Sequence, residues 1–128
     1  MNTVGFCNKW DEGIIYEKYF QLPDHKIEVT KAQREKIIEY LKQGERIFSI
    51  TLSLFDEDDS FIAPYIVYTD GEWLWPSHLI DFIEKNSTQY LKMEFLEYLT
   101  KKDFKFSTKI ISKEDVVRFF QENLMNLG

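Results

Sequence analysis

The sequence predicts one α+β domain over residues 1–128, a small antiparallel β-meander covered by several helices. Three observations carry that prediction. Arg46 to Phe55 alternates, with Phe48, Ile50, Leu52 and Leu54 on one side and Ile47, Ser49, Thr51 and Ser53 on the other. Tyr65 to Trp75 is an apolar and aromatic run broken only around Asp70-Gly71, a dipeptide that favours a hairpin turn. Before and after these segments lie stretches with apolar residues at helical spacing.

Residues 1–29 fit neither period; Gly13, Pro23 and Asp24 break them into irregular or short extended pieces, with a loop around Trp10, Asp11 and Glu12. A helix follows from Thr30 to Gln43. Thr30 and Gln33 make a capping-box pattern, and Ile37, Ile38 and Leu41 form its apolar stripe. Gly44 is the expected stop, in a left-handed conformation. The strand at 46–55 leads through the acidic turn Asp56-Glu57-Asp58-Asp59-Ser60 into a second strand, Phe61 to Thr69. Pro64 there marks a bulge or an edge position, because it has no N–H to give to a ladder.

A two-residue turn at Asp70-Gly71 sets Thr69 opposite Glu72, Tyr68 opposite Trp73, Val67 opposite Leu74 and Ile66 opposite Trp75. Ile66, Tyr68 and both tryptophans then share one face while Val67 and Leu74 line the other, so the hairpin is apolar on both sides and central. Pro76 opens a helix to about Lys85, with Leu79, Ile80 and Ile83 buried. Asn86-Ser87-Thr88 is a break. Another helix near Lys92–Lys101 buries Phe95, Leu96 and Leu99. Phe104-Lys105-Phe106 and Lys109-Ile110-Ile111 read as short extended pieces. Ser112 opens a last helix, with Asp115 completing its cap, which buries Val116, Val117, Phe120 and Leu124.

Composition narrows the function classes. Hydrophobic residues make up 44% and aromatics 16%, enough to build a packed interior. The net charge of −6 disfavours nucleic-acid and anionic-membrane binding and suits a basic partner. No apolar run approaches the length of a membrane span, the first residues do not form a signal peptide, and the cytoplasm is the expected compartment. The single cysteine, Cys7, excludes a disulfide framework within the chain.

No catalytic signature emerges. Cys7 with His25 or His78 has the makings of a nucleophile and base, but a buried, inert cysteine is the better reading. His78 and Asp81, three apart on a helix, read as a surface or interface pair. Two histidines and one cysteine offer no metal site of known spacing, and Asp56–Asp59 lack the pattern of a calcium loop. Neither catalytic residues, a cofactor nor a metal is expected. Trp73 and Trp75 suit a ligand platform, with core packing preferred for at least one.

The run Thr69-Asp70-Gly71-Glu72-Trp73-Leu74-Trp75-Pro76, with Leu79 and Phe82-Ile83-Glu84-Lys85 after it, resembles a family of small bacterial immunity proteins from polymorphic or contact-dependent toxin systems. Ile37-Ile38-x-Tyr40-Leu41-x-x-Gly44, a strand ending at Asp56, and Glu94-Phe95-Leu96 extend the likeness over about residues 10–106. Residues 86–93 depart from it. The resemblance implies a non-enzymatic protein that occludes a cognate toxin domain, plausibly a nuclease with a basic active site. The expected docking residues are Asp56, Glu57, Asp58 and Asp59, then Asp70 and Glu72, then Asp11 and Glu12. The turn after the first strand and the Asp70 turn lie at opposite ends of a meander. The alternative is an interaction module or homodimer without a toxin, using a sheet edge or an aromatic surface.

Overall fold

Four strands form one mixed sheet in the computed structural model, which describes residues 1–22, 27–55, 61–107 and 112–126. The strands are β1 (Asn2–Thr3), β2 (Glu45–Phe55), β3 (Phe61–Thr69) and β4 (Trp73–Pro76). The helices are α1 (Asn8–Asp11), α2 (Lys31–Lys42), α3 (Ser77–Glu84), α4 (Met93–Lys101) and α5 (Lys113–Phe119). The expected meander of β2, β3 and β4 is present. The sheet order β1-β4-β3-β2 adds a strand that the irregular N-terminal sequence does not announce. β1 runs parallel to β4, with Asn2 opposite Trp73 and Thr3 opposite Leu74.

The hairpin register differs from the expected one. Thr69 pairs with Leu74, Tyr68 with Trp75 and Val67 with Pro76, so four residues separate the paired positions instead of two. Side chains build this wider loop. Asp70 Oδ1 accepts the N–H groups of Glu72 and Trp73 at 2.9 and 2.8 Å. Thr69 Oγ1 accepts from Gly71 N–H and donates to Trp73 C=O. Such local side-chain bonds satisfy backbone groups that a two-residue turn would have paired across the ladder. Gly71, at φ 99°, supplies the left-handed step.

The shift of register is even in its effect on the faces, so the predicted sides survive. Tyr68, Trp73 and Trp75 pack with Ile37, Tyr40 and Leu41 of α2, Leu79 and Ile83 of α3, and Phe95 and Leu99 of α4. Tyr65, Val67 and Leu74 pack on the other face with Phe6, Ile14, Ile15, Val116, Phe120 and Leu124. The inner strands β3 and β4 are therefore covered on both sides, and both tryptophans are core residues.

Two irregularities in β2 alter the expected alternation. A register shift between Arg46 and Phe48 lets Ile47 join Phe48 and Ile50 against the second cluster. A second shift, between Ile50 and Ser53, lies where Pro64 pairs, as the missing N–H predicts.

The Thr30–Gln33 capping box forms in both directions. Ser112 accepts from Glu114 N–H at the start of α5, which continues as a π-helical turn over Phe120–Leu124. Val117 is only half-buried there. Asn86, at φ 60°, closes α3 at the expected break. No strand forms at Phe104–Phe106; Asp103 and Phe104 are both left-handed there. Residues 109 and 110 of the other expected extended piece, and 111, lie outside the described residues.

Gly44 ends α2 for a different reason from the one expected. Its φ is not positive; instead an added Cβ would lie 2.6 Å from the Trp75 ring and 2.9 Å from Tyr68 Cβ. The glycine lets the α2–β2 corner close on the hairpin. Gly44→Ala should therefore lower unfolding stability by about 1–3 kcal/mol, an overpacking penalty. Urea denaturation checks this, and an unchanged midpoint would contradict the close approach.

Candidate functional site

The chain concentrates its buried polar groups around two carboxylates, Asp70 and Asp11, both with no exposed surface. Neither of them offers an acidic group to a docking protein. The sequence places them at a turn and a loop, where carboxylates are normally solvated, so the expectation of surface acids is corrected at both positions.

Asp70 is a structural hub. Its Oδ1 organises the hairpin loop, and its Oδ2 accepts the hydroxyls of Tyr40 from α2 and Tyr98 from α4, the latter at 2.7 Å. Lys102 Nζ donates to both phenolic oxygens, at 2.9 and 3.2 Å, and lies over both rings. Burial and the neighbouring carboxylate push both tyrosines above their ordinary range, so they remain hydroxyl donors.

Asp11 joins three segments distant in sequence. Its Oδ2 accepts Cys7 N–H at 2.7 Å and lies 2.9 Å from His78 Nε2, while Tyr65 donates its hydroxyl to Oδ1. The single helical turn of α1 sets Cys7 and Asp11 four residues apart, which brings them to one face. β3 supplies Tyr65 and the first turn of α3 supplies His78. The rings of Trp10, Tyr65 and Phe82 lie 5.5–6.0 Å from the imidazole. His78 is thus an internal residue, and the expected surface pair with Asp81 does not form; Asp81 pairs with Lys85 at 3.3 Å instead.

Cys7, Asp11 and His78 bring one potential ligand atom each to within 4.8 Å of one another. Spacing along the chain gave no hint of this, because His78 is 67 residues from Asp11. The only available signal was a cysteine, an aspartate and a histidine flanked by apolar residues. Burial and Asp11 push the Cys7 thiol up to about 11, so it is not an activated nucleophile. His25 lies outside the described residues.

Of the remaining expected docking residues, Glu12 is exposed, Glu72 is half-buried, and Asp56, Glu57, Asp58 and Asp59 lie outside the described residues. Among the described residues no helix is long and apolar enough to cross a membrane. The chain matches no protein-family model, and no curated protein or solved structure matches it.

Two outcomes follow from these centres. Asp70→Asn removes a charged acceptor from two tyrosines and turns one end of the group into a donor, which should lower stability by about 2–4 kcal/mol in a denaturant titration. For Cys7, the folded pKa exceeds the unfolded value, so its contribution is complete below pH 9 and is lost as pH rises toward 11. The loss is at most about 2–3 kcal/mol for this one group. Unfolding curves between pH 8 and 11 should show Cys7→Ala falling less steeply than the wild type; parallel slopes would contradict it.

Proposed function

We propose that this protein is an intracellular immunity protein that binds a cognate toxin domain and blocks it by occlusion, without a reaction of its own. The observation that carries the reading is the Asp70–Pro76 stretch, whose likeness to toxin-immunity proteins stands beside a net charge of −6. With Asp70 and Asp11 committed to the interior, the docking acids of this reading are the exposed Glu12, the expected Asp56–Asp59, and a cluster that the fold adds. The pairing of Ile15 with Met125 brings Glu17 and Glu122 to one cleft of about 360 Å³, beside the exposed Tyr16. An aromatic ring with two carboxylates and one ammonium, Lys18, on its rim leaves a net negative cleft that suits a basic partner, and the charge speeds encounter.

A second reading, an interaction module or homodimer, draws on a different patch. Leu22 is 82% exposed and Met93 50% exposed, and both line a groove of about 420 Å³ with Ile27, Leu91 and Lys92. Surface apolar groups clustered in this way commonly serve association.

Co-purification with the product of the adjacent gene, followed by calorimetry at two salt concentrations, separates the readings. Immunity through the acidic surface gives one-to-one binding that weakens with salt, and Glu17→Lys with Glu122→Lys weakens it about tenfold more. Salt-insensitive binding that is lost in Leu22→Asp moves the contact to the apolar groove. No binding, with a concentration-dependent dimer abolished by Leu22→Asp, overturns immunity in favour of self-association.

A further inference from the structure

The Asp11 centre contains more donor chemistry than a structural hydrogen-bond network requires. A thiol, a carboxylate and an imidazole from α1 and α3 converge with all three side chains buried. Asp11 is held from three directions, and Tyr65 fixes its second oxygen. The imidazole is only half used. One nitrogen meets Asp11, while Nδ1 is buried with no hydrogen-bond partner, alone in this among the described side chains.

We propose that Cys7, Asp11 and His78 form a binding site for a divalent transition ion, with zinc the best match to the donor set. Sulfur, nitrogen and carboxylate oxygen are its common ligands, at about 2.3, 2.0 and 2.0–2.2 Å. Tetrahedral bonds of those lengths set the donors roughly 3.3–3.6 Å apart. The present separations, from 2.9 Å for Asp11–His78 to no more than 4.8 Å, reach that range by movements of about an ångström.

Charge also fits. Zinc binding expels the thiol proton to solvent, and the ion, one thiolate, one carboxylate and a neutral imidazole sum to zero. A neutral assembly is what a dry interior tolerates. Without the ion, the thiol stays protonated, because burial and Asp11 both oppose the thiolate. Trp10, Tyr65 and Phe82 supply the apolar surroundings that shield such sites, and the Tyr65 hydroxyl orients the carboxylate. Because the donors are enclosed, the ion enters as the chain folds.

The test uses tag-free full-length protein, unfolded under reducing conditions and refolded with cobalt(II) as the probe. A bound tetrahedral cobalt thiolate gives a sulfur-to-metal charge-transfer band in the near ultraviolet and visible d–d bands at one equivalent. Cys7→Ser, a close replacement for the thiol, keeps the fold by circular dichroism yet loses the charge-transfer band. Zinc added during refolding raises Tm in the wild type and not in Cys7→Ser. Absence of the bands in refolded wild type overturns the proposal, as does an equal response in Cys7→Ser.

Discussion

A single buried carboxylate holds the architecture together. Asp70 accepts two backbone N–H groups from its own loop and two tyrosine hydroxyls from helices on either side in the sequence. The loop geometry sets the register of β3 and β4, and the same oxygens pin α2 and α4 over Trp73 and Trp75. A charge in the interior is tolerable only when its acceptor sites are filled, and here each oxygen takes two donors. Lys102 lies one atom further out, over the phenols instead of against the carboxylate, and its charge reaches Asp70 through those hydroxyls. The hub makes the hairpin and the helical layer one cooperative unit.

Asp11 repeats the device on another scale. It joins the N-terminal segment, the central strand and the start of α3, three pieces that hydrophobic contact alone would leave free to slide. Two buried acids, each with aromatic hydroxyl donors, explain how an acidic chain uses some of its charge inside. They also withdraw two carboxylates from the surface, where Glu12, Glu17 and Glu122 remain among the exposed acids of the described residues.

Legibility followed the range of the interactions. The α2 cap, the α3 break at Asn86, the alternation through 65–75 and the bulge at Pro64 depend on neighbours a few residues away, and the sequence displays them. The N-terminal strand did not show, because two residues beside β4 carry no period of their own. Asp70-Gly71 suggested a two-residue turn; the side chains of Thr69 and Asp70 made a wider loop, a competition that dipeptide preference ignores. Its place after a helical stripe suggests a left-handed stop at Gly44, whereas its real constraint is a tryptophan 31 positions later. The Cys7–Asp11–His78 centre was hidden for the same reason, since its members meet only through tertiary structure.

The bridge between Ile15 and Met125 has a kinetic consequence. Tyr16 donates its N–H to Leu124 C=O and Asn126 donates to Ile14 C=O, both at 2.7 Å, so the segment beside Asp11 is latched by residues 110 positions away. Pairings so far apart in the chain form late, after closure entropy has been met by more local contacts. On the ribosome, the Asp11 side of the core stays unlatched until synthesis passes residue 126. Until then Phe6, Ile14 and Ile15 lack the cover of Phe120 and Leu124. An apolar segment left uncovered in this way is open to proteases and aggregation until Phe120 and Leu124 arrive to cover it.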